Sequence, residues 1–157
     1  MASFAATLPK GLRVLDVGSF DVNGTYRDLF EGQEYVGMDI EAGKNVDVVQ
    51  PSLYKFPFPD GHFDVVVSGN VMEHVEFLWL WALEVDRVLK AGGRMCHVTP
   101  HKIHYHPHPV DCWRVMKDGM ACIWQGWMIE SGRSPYLFEE LRMEELDTFF
   151  VGKKAAQ

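Results

Sequence analysis

The feature that most constrains this chain is a pair of short apolar runs, each ending at a residue suited to a turn or a ligand. Arg13-Val14-Leu15-Asp16-Val17 ends at Gly18, and Tyr35-Val36-Gly37-Met38-Asp39 closes on a carboxylate. The first run reads as a strand buried on both faces, as strands of a parallel sheet are, and the second as its neighbour. Further strand-like runs lie at 46–49, 63–67, 94–98 and 147–151, the last expected to pair with an irregular strand near 136–141. Asn23 is placed to cap a short helix over 25–30. Leu78, Ala82, Val85 and Leu89 recur at helical spacing within 75–90, and Gly92-Gly93 is expected to stop that helix. A further helix is predicted over 117–128. Strands alternating with helices give an α/β fold with a mostly parallel sheet and flanking helices. Only residues 40–45 separate Asp39 from Val46, whereas a parallel crossover usually takes about a dozen residues or more. One edge of the sheet should therefore be trimmed, with the helix between the second and third strands missing.

The 157 residues fit a single compact domain spanning 1–157. Fifteen Lys and Arg against 22 Asp and Glu leave a net charge of −7. That balance argues against non-specific binding to nucleic acid or an anionic membrane. The longest apolar candidate, residues 75–85, is cut by Glu76 and Glu84 and falls short of the roughly 18 residues of a membrane span. Residues 1–6 lack a basic segment and an apolar core, so no signal peptide is expected. Cys96, Cys112 and Cys122 form no paired spacing and read as reduced thiols of a cytoplasmic protein.

In open α/β sheets, ligands bind beyond the carboxyl ends of the strands. Asp16 and Gly18 fall at such an end, and Asp39 closes the next strand 23 residues after Asp16. A carboxylate there can accept both hydroxyls of a ribose. The dinucleotide fingerprint G-x-G-x-x-G is not met, because Phe20 stands at its second glycine and Asp21 puts negative charge where pyrophosphate would lie. A cationic nucleoside without phosphate suits Asp16 and Asp21 better.

Five segments carry a family resemblance: residues 14–19, residues 35–39, residues 56–66, Met72-Glu73-His74-Val75, and the stretch ending Arg87-Val88-Leu89-Lys90-Ala91-Gly92-Gly93. Together they resemble class I S-adenosylmethionine-dependent methyltransferases, most nearly the small type 11 branch, over roughly residues 12–100. The resemblance implies a Rossmann-like sheet and S-adenosyl-L-methionine as cofactor. It implies that Asp16, Gly18 and Ser19 line the methionine end; Phe20 departs from the family's second glycine there and suggests a wider loop over 19–23. Asp39 would hold the ribose and Ile40 the adenine, with Ser52 and Leu53 beside it. Asn70 would face the transferred methyl. Ser52 departs from the acidic residue usual at that position.

The loop after the fifth strand holds His101, His104, His106 and His108. An acceptor hydroxyl or protonated amine must lose a proton to take a methyl, so His104 or His106 can serve as general base. The alternative is that they bond neighbouring loops. The spacing matches no familiar zinc pattern, and no metal is assigned. Arg114 can pair with an anionic substrate or with Asp111. Trp79, Leu80 and Leu83 lie off the helical stripe and await a covering loop or a second copy, as in a homodimer. The expected reaction is methyl transfer to an oxygen or nitrogen of a small-molecule or glycan-type acceptor. The rivals are a nicotinamide-dependent oxidoreductase and a non-catalytic module that binds S-adenosylmethionine.

Overall fold

A computed structural model describes residues 1–125 and 136–156. Its centre is a seven-stranded sheet. The strands are β1 (Arg13–Val17), β2 (Glu34–Asp39), β3 (Val48–Val49), β4 (Phe63–Gly69), β5 (Leu89–Pro100), β6 (Tyr136–Met143) and β7 (Asp147–Lys154), ordered β3-β2-β1-β4-β5-β7-β6. β1 to β5 pair in parallel, whereas β7 runs antiparallel to both β5 and β6. Three helices accompany the sheet among the described residues: α1 (Ala2–Ala5), α2 (Leu78–Val88) and α3 (Lys117–Gln125).

Alternation along each strand sorts side chains onto two faces. Leu15, Val17, Val66, Met95 and Phe150 join the larger core with Trp81, Val85 and Trp124. Val14, Val65, Val67, Cys96, Phe149 and Val151 form a smaller cluster with Phe4 and Phe30. On α2, Leu78, Trp81, Ala82, Val85 and Val88 are buried. Burying a large apolar side chain contributes about 1.5–3 kcal/mol, so this stripe anchors the helix despite its uncapped start at Phe77. Phe77, Trp79, Leu80 and Leu83 stay exposed on its other side.

The sheet is trimmed as expected at β2–β3, where only Met38↔Val48 and Asp39↔Val49 pair and no helix intervenes. The trimming extends further than the spacing implied. Between β1 and β2 there is only a 3-10 turn, Arg27–Phe30, preceded by Tyr26 and without a side-chain cap. The helix expected over 25–30 with Asn23 as its cap does not form. Asp21, not Asn23, accepts the Gly24 amide, at 2.9 Å. Between β3 and β4 there is no helix either. Gly92-Gly93 does not stop α2, which already ends at Val88 because Leu89 must pair with Phe63. The two glycines sit instead in the bulged start of β5. A β carbon on Gly93 would lie 2.8 Å from the Lys90 carbonyl and 3.0 Å from that of Asp64. The part of the 117–128 prediction beyond Gln125 lies outside the described residues.

Candidate active site

The carboxyl ends of β1, β2, β4 and β5 open on one side of the sheet. Gly18 turns the chain there with φ +81, and its amide and that of Ser19 both donate to the Met38 carbonyl, at 2.8 and 3.1 Å. A β carbon on Gly18 would stand 2.1 Å from Val71 Cγ2. Only glycine meets both demands. The loops after β1 and β2 are stitched together. Ser19 Oγ donates to the Asn45 carbonyl at 3.2 Å and Asn45 Nδ2 donates to the Ser19 carbonyl at 2.9 Å. Lys44 Nζ meets Asp21 Oδ2 at 2.5 Å. Asp21 is thereby paired within the protein, its Oδ1 also accepting the Gly24 amide. The Phe20 ring lies against Gly43, where a β carbon would meet it at 2.4 Å.

The two strand-end carboxylates differ in kind. Asp16 is 2% exposed, accepts a hydrogen bond from the Tyr35 hydroxyl, and keeps Oδ1 buried without a partner among the described residues. Burial pushes its pKa up to about 7, against the opposing Tyr35 bond and Arg27 charge. Asp39 is half-buried at the mouth. Its Oδ2 accepts the Phe20 amide at 3.0 Å and its Oδ1 the Glu41 amide at 3.2 Å. Each oxygen has a further lone pair for a ligand hydroxyl. Ile40 is half-buried beside it. Ser52 Oγ accepts the Tyr54 amide at 3.3 Å, and Leu53 packs against the larger core. Asn70 is exposed in the left-handed region at φ +55, with its amide donating to the Val98 carbonyl at 2.9 Å. The Tyr26 phenol covers Gly69, where a β carbon would meet its hydroxyl at 2.1 Å.

Beyond Asn70, the chain makes a 3-10 turn, Met72–His74, that delivers Glu73 and His74 beneath the histidine loop. Glu73 is fully buried, and its Oε2 accepts the Thr99 hydroxyl at 3.1 Å. Its carbonyl accepts the amides of Cys112 and Trp113, at 2.7 and 3.2 Å. Asp111 holds the loop in shape. It accepts the His106 amide at 2.7 Å and two Arg114 bonds at 2.5 and 2.8 Å, while Arg114 also donates to the carbonyls of Ile103 and His104. The Arg114 guanidinium draws the Asp111 pKa far below the usual carboxylate range. Arg114 is thus committed to Asp111 locally. His106 stands 5.1 Å from His74 and 6.4 Å from His104 by ring centroids. His101 and His108 are not part of this group. His97 is a core residue, stacked on Trp124 at 4.9 Å and bonded to Ser68 Oγ at 2.7 Å. Sequence reading missed Tyr35, Asn45 and Glu73 as a buried acid, whereas the Asp111–Arg114 pair is one of the two partners it offered for Arg114. Of these, only Glu73 carried a signal, as neighbour to His74 in a recognisable segment.

The donor set suits a cationic nucleoside in two respects: the unpartnered buried carboxylate of Asp16 lends negative potential from beneath, and the accessible Asp39 oxygens can meet a ribose. The family model described as a methyltransferase domain matches residues 15–97. An uncharacterized methyltransferase from Mycobacterium sp. (strain KMS) is 39% identical over 98 residues, covering 55% of this chain and 38% of that protein. A probable S-adenosylmethionine-dependent methyltransferase from Mycobacterium tuberculosis (strain H37Rv) is 37% identical over 62 residues, covering 40% of this chain and 23% of that one. The chain therefore spans well under half the length of these relatives. Among solved structures, the Burkholderia thailandensis 1,6-didemethyltoxoflavin-N1-methyltransferase, with 1,6-didemethyltoxoflavin and S-adenosylhomocysteine bound, aligns at TM-score 0.74 and 12% identity over 98% of this chain and 76% of that one. A Methanosarcina mazei S-adenosylmethionine-dependent methyltransferase aligns at TM-score 0.73 and 12% identity over 99% and 98%. These structures share the Rossmann-like fold, and the match of more than half the sequence to the family model is of a different order. The chain belongs to the methyltransferase domain family.

Proposed function

We propose that this chain binds S-adenosyl-L-methionine across the ends of β1 and β2 and transfers its methyl to an oxygen or nitrogen of a small-molecule or glycan-type acceptor. The observation that carries the reading is Asp39, at the open end of β2, with one loop amide on each carboxylate oxygen and a lone pair left on each for a ribose diol. In this reading Gly18, Ser19 and Phe20 form the turn against which the nucleoside lies. Asp16 supplies negative potential from beneath, and Ile40, Ser52 and Leu53 border the adenine. Asn70 faces the methyl. The cofactor supplies an electrophilic methyl on a cationic sulfur. The chain's own residues align the acceptor and take its proton, a task that falls to the imidazole pair His104 and His106 above the buried Glu73. The clamp of Asp111 and Arg114 fixes that loop's carbonyls and so the rings it carries.

Residues 1–157 act as one domain in the cytoplasm in this reading, in keeping with three unpaired cysteines. Among the described residues no helix is long and apolar enough to cross a membrane. Calorimetric titration with S-adenosylmethionine tests the cofactor assignment. The Asp39→Ala chain should bind at least about tenfold more weakly, about 1.4 kcal/mol, the scale of a lost hydrogen bond to a charged group, while keeping its fold. Equal affinity would overturn the assignment of the ribose to Asp39.

A further inference from the structure

Two separate segments, the 3-10 turn Met72–His74 and the loop after β5, bring a nitrogen–oxygen donor set together. One ligand atom each from Glu73, His74 and His106 lie within 4.8 Å of one another. Glu73 Oε1 stands 3.7 Å from His74 Nε2. Donors about 2.0–2.1 Å from a tetrahedral zinc ion stand about 3.4 Å from one another, so gathering all three onto one ion takes movements of up to roughly 1.4 Å.

Three further features favour an ion over a simple ion pair. Glu73 is 0% exposed, yet its Oε1 has no hydrogen-bond partner among the described residues. A buried carboxylate oxygen without a donor is costly unless a cation meets it. His74 turns its Nε2 toward Glu73, and each ring holds its Nδ1 in a hydrogen bond. His74 Nδ1 donates to the Val110 carbonyl, and His106 Nδ1 donates to the His104 carbonyl at 3.0 Å with Asp111 Oδ2 at 3.4 Å behind it. Each ring therefore keeps its Nε2 lone pair free, the arrangement usual for metal-bound histidine. Finally, the side chains of His74 and His106 are 18% and 27% exposed, which leaves an entry path and open coordination positions.

We propose that Glu73, His74 and His106 bind one divalent transition-metal ion of the zinc type. Two imidazoles and one carboxylate with open positions match sites in which a metal meets substrate rather than sites that only hold a fold together. Resting on the methyl-transfer reading, an ion held by Glu73, His74 and His106 would supply Lewis acidity to an acceptor hydroxyl that reached it. The acceptor O–H bond breaks and its proton goes to His104, the imidazole left free. The O–CH3 bond forms as the S–CH3 bond of the cofactor breaks. The donor set assigns a metal where the histidine spacing alone did not.

The test is calorimetric titration of chelator-stripped protein with zinc chloride, with metal content of the dialysed protein as a second measurement. One equivalent should bind. Affinity should fall at least about tenfold in His106→Ala, on an exposed loop where folding is safe, and in Glu73→Gln. His108→Ala, on the same loop but outside the donor set, should bind as the unaltered chain does. Absence of a stoichiometric site, or equal affinity in His106→Ala, overturns the proposal and leaves Glu73 and His74 as an ion pair. A parallel titration with S-adenosylmethionine separates the two readings. Cofactor binding without zinc binding removes the ion alone. Zinc binding without cofactor binding upholds the ion and removes the methyl-transfer reading.

Discussion

The Tyr35 hydroxyl reaches across from β2 to donate a hydrogen bond to Oδ2 of Asp16 on β1, while Asp16 Oδ1 stays buried with no partner among the described residues. One satisfied and one orphaned oxygen leave this carboxylate poised between charged and neutral forms near pH 7.

Asp16 therefore costs stability when ionised. Its folded pKa of about 7 lies above the ordinary 3.8, so the folded chain gains protons relative to the unfolded one as pH falls through that window, and this group's penalty disappears toward pH 4. Asp16→Asn should raise unfolding free energy at about pH 8 by roughly 2–4 kcal/mol, with the gain fading on acidification. The same variant should weaken S-adenosylmethionine binding and flatten its rise between about pH 6 and pH 8. Denaturant melts at two pH values and matching titrations check both halves. A variant no more stable than the parent at the higher pH would show that the carboxylate is well solvated.

His97 carries the opposite sign. Burial lowers its pKa from 6.5 to about 3, so the unfolded chain takes up a proton on acidification that the folded chain refuses. Its contribution is intact above pH 6.5 and is lost as pH falls toward 3. The stability difference between the parent and His97→Gln should shrink by about 2 kcal/mol between roughly pH 7.5 and pH 5. A difference independent of pH would mean that the ring titrates normally.

Gly18→Ala should be damaging for two separable reasons. Alanine resists φ +81, and its β carbon meets Val71 Cγ2 at 2.1 Å. A loss of about 2–4 kcal/mol is expected from strain plus overpacking. Adding Val71→Ala should relieve the clash and leave the backbone term. Thermal melts of the single and double variants give the split, and full recovery would assign the whole effect to packing.

His104 and His106 divide their work if the ion is present. His104→Ala should lower kcat about a hundredfold, within the usual range for a proton-transfer group, with cofactor affinity and zinc binding unchanged. His106→Ala should lose turnover and zinc together. Single-turnover assays on an acceptor panel, read beside metal content, distinguish them. An unaltered rate in the double variant would assign both rings to the structure of the loop.

The strands were legible because their signals are local. Runs such as residues 14–17 and 63–67 need only apolar continuity, and Gly18 needs only a turn. The short β2–β3 connection was also legible, since chain length limits what a crossover can hold. Glycine signals misled where pairing across the sheet took over. Leu89 pairs with Phe63, so α2 stops short of Gly92-Gly93, and those glycines shape a bulge instead. The helix expected over 25–30 lost to a 3-10 turn in which Arg27 pairs with Asp47 and caps the Tyr35 ring.

Sequence by itself determined the parallel sheet, the trimmed edge and the two carboxylates at strand ends, because each follows from periodicity, turn chemistry or spacing along the chain. Only the tertiary structure decided which acid is sealed and which is open, that Lys44 pairs with Asp21, and that Glu73 and His74 meet His106. Those outcomes depend on where separate loops cross, and the desolvation that sets the charge of Asp16 or the cost of Glu73 exists only once other segments have closed over them.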